Sequence, residues 1–202
     1  MAKNKENVKS EIKTKSENSR NIRRTKTALQ NSLIKLMKNR SILRISVKEI
    51  CDTADVGRST FYVHYENQYD LLEQIELECL LGFEKALAMN EPLRKYNTHE
   101  ITHIFEKMLQ FIEDNINFIQ ILLSENGEIS FQRKFIHRLN CYFKNAKKHY
   151  VNNSIDEKTS ECYSVFFING VIALIQYWLK NKMHIPIPEF AKMIVTLTDE
   201  MR

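Results

Sequence analysis

Residues that interrupt helices are scarce in this chain: its 202 residues include four glycines and three prolines. Sheet sandwiches and glycine-rich nucleotide-binding folds depend on these residues in their turns and loops. Apolar residues instead recur three and four positions apart over most of the sequence, which is typical of amphipathic helices. The sequence therefore predicts an all-α protein.

The positive charge of the chain is confined to its first third. Residues 1–66 hold 15 Lys and Arg against 7 Asp and Glu, a net charge of +8. Residues 67–202 hold 15 against 18, a net charge of −3. Such a division is typical of a head that binds a polyanion, joined to a neutral or acidic body. A solvated basic surface without a partner is the alternative explanation.

Changes in composition divide the chain into three parts. Residues 1–20 are rich in Lys, Asn, Glu and Ser and have almost nothing to bury, which predicts a disordered basic arm. Residues 21–67 contain three short helical patterns and predict a small three-helix domain. Residues 68–202 contain longer helical patterns and predict a second, larger helical domain.

Within the basic third, residues 46–65 have the length and apolar spacing of a helix-turn-helix. Ser46 and Glu49 have the spacing of a capping box, which begins the first of its helices. Asp55-Val56-Gly57 interrupts this helix, and a second one is predicted to start at Arg58. The second helix has small and polar residues on one side, so it suits entry into the major groove of DNA.

The residue types of this segment predict contacts with double-stranded DNA. Arg58 can place two donors on a guanine, and the nearby hydroxyl and imidazole groups can contact base edges or phosphates. Arg23 and Arg24 precede the apolar part of the first helix and suit phosphate contact. Residues 1–19 could follow DNA or only solubilise the chain. The expected DNA-binding residues are Arg23, Arg24, Ser46, Val47, Lys48, Gly57, Arg58, Ser59, Thr60, Tyr62 and His64.

The stretch ISVKEICDTADVGRSTFYVHYENQYDLLEQI resembles the DNA-binding signature of TetR/AcrR-type bacterial transcriptional regulators. The shared pattern is a Ser-Val opening, an Ile-x-x-x-Ala helix, a Thr-Phe-Tyr-x-His-Tyr recognition helix and an Asp-Leu-Leu helix. The resemblance covers residues 22–82. It implies a homodimer, an operator with two-fold symmetry and, usually, a repressor that a small hydrophobic effector releases from DNA by binding in the C-terminal body.

Three positions depart from this family pattern. Asp55 stands in the turn where the family usually has Gly, but Asp tolerates left-handed backbone well enough for the turn to persist. Gly57 replaces the more frequent Ser before the recognition helix, a change worth only a few tenths of a kcal/mol. Gln68 stands where the family often has Lys, and we expect each subunit to make one phosphate contact fewer there.

The C-terminal body contains candidate residues for a dimer interface and for an effector pocket. Residues 155–181 are apolar over more than one helical face, which predicts that a second copy covers part of this surface. The interface is expected at Phe166, Gly170, Ala173, Tyr177, Met193 and Leu197. The effector pocket is expected among Phe105, Phe111, Phe118, Phe135, Tyr142 and Phe166, although aromatic residues at helical spacing can equally be plain core.

Other classes of protein lack support in the sequence. No apolar stretch approaches the ~18 residues that span a bilayer, and four isolated cysteines without a signal peptide predict a cytoplasmic location. We find no nucleophile elbow, phosphate loop or catalytic carboxylate pair, so we expect neither an enzyme nor a cofactor. His99 and His103 have no third ligand at a convincing spacing, which predicts no metal site.

Three hypotheses therefore remain. The favoured one is a ligand-released repressor, and the second is a DNA-binding regulator controlled by a protein partner or by no signal. The third is a helical enzyme or scaffold whose basic head is incidental.

Overall fold

The computed structural model describes residues 2–87, 98–124, 127, 129–147 and 157–199. Every regular element in these ranges is helical, which confirms the predicted fold class. A 3₁₀ turn occupies Ile42–Arg44. The α-helices are α1 (Ala2–Met37), α2 (Val47–Ala54), α3 (Arg58–His64), α4 (Gln68–Ala86), α5 (Thr98–Asp114), α6 (Ile116–Leu122), α7 (Ile129–Lys147), α8 (Glu157–Lys180) and α9 (Ile187–Asp199).

The chain forms two units, Met1–Ile75 and Glu76–Arg202. The division falls inside α4, whereas the sequence placed it before this helix, after residue 67. The difference arises because Leu71, Leu72 and Ile75 on the first turns of α4 are almost completely buried and belong to the first unit. The helical pattern alone does not show to which domain the start of a helix belongs.

The first unit is built around one apolar cluster. α1 packs against α2, and α2 packs against α3. The shared core consists of side chains with at most 3% exposure: Leu29, Leu33, Met37, Ile42, Ile45, Ile50, Phe61 and Tyr65. Because these residues leave the opposite sides of α2 and α3 in solvent, the core determines which polar residues the unit presents.

The first helix is longer than the sequence indicated. α1 begins at Ala2, so it includes most of the segment 1–20 that we expected to be a disordered arm. This segment contains neither Gly nor Pro, and its Lys and Glu residues are good helix formers. Adding turns to an existing helix also avoids the cost of nucleation. The low apolar content that suggested disorder is compatible with a helix extended from the folded unit.

In the second unit, α5 and α8 each pack against α9, and α7 packs against α8. The Trp178 and Phe190 rings stack with centroids 5.3 Å apart, and the Trp178 indole Nε1–H donates a 2.8 Å hydrogen bond to the carbonyl of Ile185. This aromatic pair joins α8 to α9, and the hydrogen bond of the indole N–H holds the Trp178 ring in place.

Two ion pairs join α4 to α7 within the second unit. Lys134 Nζ lies 3.1 Å from Glu76 Oε2, and Arg138 pairs with Glu84. The Glu76 side chain is only 3% exposed, whereas Lys134 is 45% exposed. A carboxylate buried to this degree needs a cationic partner, so the Glu76–Lys134 pair constrains how α4 lies on α7.

One segment of α8 has the length and apolar composition of a membrane-spanning helix, which we did not expect from the sequence. Glu161–Lys180 is long and apolar enough to cross a membrane by length and composition alone. Our expectation of no such stretch was wrong, because the apolar residues of this segment outweigh Asn169 and Gly170, which interrupt it. Several residues of this segment belong to the core of the second unit, including Ile168, Ile175 and Trp178.

Candidate nucleic-acid interface

The start of α2 is held by a capping box, as the sequence predicted. The backbone N–H of Ser46 donates to Glu49 Oε2 at 2.9 Å, and the N–H of Glu49 donates to Ser46 Oγ at 3.3 Å. Arg40 adds a 2.7 Å ion pair to Glu49. The hydrogen bonds from the Ser46 backbone and hydroxyl, together with Arg40, lower the pKa of the Glu49 carboxyl from 4.5 to about 2. α2 therefore starts at a fixed position beside the end of α1.

The turn between α2 and α3 uses left-handed backbone at Asp55. Its φ of 54° and ψ of 46° end α2, and its N–H donates to the carbonyl of Cys51. Asp thus adopts the conformation for which a Gly was expected, and the turn is retained. Gly57 precedes α3 with extended φ and ψ of −63° and 144°, and it provides no side-chain cap.

α3 is anchored through one face and exposed on the other. Phe61 is fully buried, and its ring lies 5.6 Å from that of the nearly buried Tyr65. Arg58, Ser59, Thr60 and Tyr62 are exposed. Because Phe61 and Tyr65 fix the rotation of the helix, these polar side chains are held in solvent, and we refer to them as the outward surface of α3.

The other predicted DNA-binding residues have mixed environments. Lys48, Arg23 and Arg24 are exposed, whereas Val47 and His64 are half-buried. The Ser46 hydroxyl donates to Glu49 Oε2 at 2.8 Å, so its proton is already used within the capping box. Lys26, close in sequence to these arginines, lies with Nζ 5.9 Å from the centroid of the Tyr65 ring. It stabilises the packing of α1 on the end of α3.

The aromatic residues predicted to line an effector pocket differ in exposure. Phe105 and Phe135 are buried, Phe111 and Phe118 are half-buried, and Phe166 is 60% exposed. The Tyr142 side chain lies outside the described residues. Phe135 packs 4.8 Å from the ring of Phe83, and Phe111 lies 5.7 Å from the same ring. Two of the predicted residues therefore contribute to one aromatic cluster, and Phe166 lies on an outer surface.

A surface groove in the second unit lies elsewhere. It has a volume of about 310 Å³ and is lined by Glu106, Lys107, Gln110, Ile187 and Pro188. The lining does not include Phe105, Phe111, Phe118, Phe135 or Phe166, the predicted pocket residues whose side chains the structure describes. Its mixed polar lining and open shape do not match the enclosed apolar site expected for a hydrophobic effector.

The six predicted dimer-interface residues are all exposed. Phe166, Gly170, Ala173 and Tyr177 succeed one another at three- and four-residue spacing on α8, and all are exposed. Met193 and Leu197 are exposed on α9 and one turn apart. A Cβ added at Gly170 would meet nothing within 4 Å, so this stretch of α8 is open to a neighbour. We refer to these six residues as the α8–α9 face.

Comparison with known proteins identifies the family to which this chain belongs. A family described as "Transcriptional regulator C-terminal region" of TetR proteins matches residues 99–200, half of the chain and most of the second unit. The chain belongs to the TetR family. Members of this family are transcriptional regulators and not enzymes, and DNA-binding regulation is therefore the activity that the fold supports.

Similar proteins agree with the TetR assignment. The uncharacterized HTH-type transcriptional regulator YxbF of Bacillus subtilis is 24% identical over 102 residues, which are 48% of this chain and 26% of that protein. The match thus spans about a quarter of that relative. A TetR regulator from Streptococcus agalactiae 2603V has the same fold, with a TM-score of 0.66 and 23% identity over 91% of this chain and 98% of its own.

A second solved structure is the SmeT–triclosan complex. It has a TM-score of 0.65 and 12% identity, over 88% of this chain and 90% of that chain. This likeness extends the shared fold to a protein seen in complex with triclosan. At such low identity it shows the fold alone.

Two residues that shape the TetR helix-turn-helix were missed at the sequence level. Arg40 is nine positions from Glu49, and no local pattern predicts their ion pair. Asn67 caps α4 by accepting hydrogen bonds from the N–H groups of Tyr69 and Asp70, while Asp70 accepts from Glu66 N–H. The Asn67-x-x-Asp70 spacing was a signal for this second cap.

Proposed function

We propose that this protein is a cytoplasmic repressor that binds a palindromic operator as a homodimer and leaves it when a small hydrophobic effector binds the second unit. The observation that carries the proposal is the outward surface of α3. Buried Phe61 holds Arg58, Ser59 and Tyr62 in solvent within the part of the chain that has a net charge of +8. Groove recognition needs polar side chains held rigidly on a basic unit.

The α8–α9 face supports the homodimer. It places the exposed rings of Phe166 and Tyr177 and the exposed side chains of Met193 and Leu197 on the last two helices. An apolar surface of this kind is stabilised when a second copy removes it from water. A two-fold dimer then presents two α3 helices, and an operator of two half-sites about 34–36 Å apart suits them.

Release by an effector requires a link between the units, and α4 is continuous from the first into the second. A ligand shifts the DNA-binding equilibrium only by its difference in affinity for the two states. The aromatic cluster of Phe83, Phe111 and Phe135 is the apolar region of the second unit from which such a ligand could gain affinity. Triclosan bound to SmeT is consistent with small-molecule control in a relative of the same fold.

One observation favours control by a protein partner, or by no signal, instead. The rings of Phe83 and Phe135 are 4.8 Å apart and both residues are buried, so an effector must separate side chains that already contact one another. Both versions of the function share the DNA-binding surface. They differ in whether an apolar compound weakens binding to the operator.

The test is a genomic fragment selection with the purified full-length chain at moderate salt, followed by affinity measurements on the recovered sequence. We expect one inverted repeat to be enriched. We expect Arg58→Ala to weaken binding by about 1–3 kcal/mol and to relax preference at one base pair per half-site. Lys48→Ala is the matched control, since removal of a phosphate contact weakens binding to all sequences equally.

Two outcomes would contradict the proposal. Fragments without a shared motif would indicate an architectural binder and remove the palindromic operator. An inverted repeat whose binding is unaffected by a panel of apolar compounds would retain the operator and favour control by a protein partner.

A further inference from the structure

The outward surface of α3 has an apolar residue at its centre. Val63 is 77% exposed, the largest value for a large apolar side chain in the described part of the chain. Its neighbours one turn back on the helix, Ser59 and Thr60, are polar and exposed. Valine is a weaker helix former than alanine, and an exposed valine gains nothing from burial. The first unit by itself therefore gives no reason for a valine here.

The angle between each side chain and buried Phe61 shows which residues of α3 project furthest from the first unit. Successive helical residues are about 100° apart, so Ser59 and Val63 each lie about 160° from buried Phe61. Tyr62 and Thr60 lie about 100° from Phe61, on opposite sides. Ser59 and Val63 are one turn apart and form the outermost ridge of the helix. In a groove, this ridge reaches deepest, while the two flanks approach the walls that carry the phosphates.

The chemistry of the ridge restricts what Val63 can contact. Its side chain has no hydrogen-bond donor or acceptor, so it gains nothing from a phosphate or from a polar base edge. The apolar group that the bases present in the major groove is the C5-methyl of thymine. Residues 1–66, which include α3, have a net charge of +8, and this charge favours DNA over an apolar protein surface as the partner.

We propose that Val63 is a specificity-determining residue that recognises a thymine by packing on its C5-methyl group, with Ser59 beside it on the same ridge. The inference rests on the proposed function, because it needs α3 to enter the major groove. It adds an apolar contact to a surface for which the sequence predicted only polar contacts. Each half-site of the operator then contains a thymine whose methyl group contributes to affinity.

The experiment removes the methyl group from the DNA and the side chain from the protein, separately and together. Each thymine of the selected operator is replaced by deoxyuridine, symmetrically in both half-sites, and the dissociation constant is measured at fixed salt. At one position we expect binding by the unaltered protein to weaken about fourfold per half-site, the effect of one methyl group. For Val63→Ala, the loss of affinity at that position should vanish while the losses at other thymines persist.

The matched control is Leu43→Ala. Leu43 is an aliphatic residue of nearly equal exposure, 76%, on the 3₁₀ turn and off α3. We expect this variant to respond to deoxyuridine as the unaltered protein does. Val63→Ala retains α3, since alanine is the better helix former, and thermal unfolding of both variants checks this.

The outcomes separate this inference from the proposed function. Specific binding that is indifferent to deoxyuridine at every position would overturn the role of Val63 and leave the operator proposal standing. The same follows if Val63→Ala loses equal affinity on thymine and deoxyuridine operators. A protein that binds no fragment at all would overturn both.

Discussion

Glu49 holds the start of α2, the helix against which α3 packs. Its carboxylate accepts from Ser46 at the start of α2 and pairs with Arg40 beyond the end of α1. These contacts lower its pKa from 4.5 to about 2 in the folded chain. The carboxylate therefore stabilises the fold above about pH 4.5, and this contribution disappears as the pH falls toward 2.

We expect Glu49→Gln to lower the melting temperature most at about pH 6–7 and progressively less as the pH falls to about 3. The reason is that the stabilisation from the Glu49 charge declines over this range in the unaltered protein, whereas Gln is neutral throughout. Thermal unfolding of both proteins across this pH range measures the difference. Ser46→Ala removes a hydrogen-bonding partner but keeps the carboxylate, and it serves as the comparison. A difference that is constant with pH would contradict the assignment.

Glu76 and Lys134 make a second residue-scale prediction. Lys134→Met leaves a carboxylate of 3% exposure without its cationic partner, and we expect a destabilisation of about 1–3 kcal/mol. Arg138→Met should cost less, since its partner Glu84 is 23% exposed. Adding Glu76→Gln to Lys134→Met should recover much of the stability. Chemical denaturation of the single and double variants measures the coupling, and strictly additive effects would show that the pair does not constrain α4.

At the scale of elements, α1 combines two roles. Its last turns supply Leu29, Leu33 and Met37 to the core of the first unit, and its first turns extend the helix back to Ala2. Positions 5, 9 and 13 carry Lys and are about one turn apart, so they fall on one side of the helix. Positions 3 and 15 also carry Lys but fall on other sides.

We expect a triple Lys→Gln variant at positions 5, 9 and 13 to reduce the salt dependence of operator binding. The slope of log K against log salt should fall by about 0.9 for each phosphate that the variant no longer neutralises. The double variant at positions 3 and 15 is the control and should change the slope little. Slopes that fall in proportion to the number of lysines removed would indicate a flexible tail, and unchanged slopes would exclude DNA binding by this segment.

At the scale of the whole molecule, the α8–α9 face accounts for the apolar character of α8. The buried side of this helix, with Ile168, Ile175 and Trp178, belongs to the core of the second unit. Its exposed side carries Phe166 and Tyr177, at 60% and 56% exposure. A helix that is apolar on two sides needs two neighbouring surfaces, and we propose that a second copy provides one of them.

We expect Phe166→Glu to convert the proposed dimer to a folded monomer, since a charge at this face opposes burial while the exposed residue contributes little to the subunit core. Sedimentation velocity measures the mass, and circular dichroism checks the helix content. The control is Leu81→Glu, at an apolar residue of 52% exposure on α4, outside the face. Equal masses for Phe166→Glu and the unaltered protein would remove the α8–α9 face as the interface.

Local patterns were sufficient for much of this protein. The scarcity of Gly and Pro, the helical spacing of apolar residues and the Ser46–Glu49 spacing predicted the fold class, most helices and the start of α2, because these features depend on neighbouring residues. The same holds for Asp55, whose tolerance of left-handed backbone is a property of the residue itself. The family resemblance of residues 22–82 also needed only local sequence.

Contacts between distant residues decided the rest. The sequence could not place Lys26 over Tyr65, pair Arg40 with Glu49, or assign the first turns of α4 to the first unit. It could not distinguish buried Phe135 from exposed Phe166, since both are aromatic residues at helical spacing. Periodicity shows that a helix has an apolar side. Only the tertiary structure shows what that side packs against, and so which side chains remain for DNA, ligand or partner.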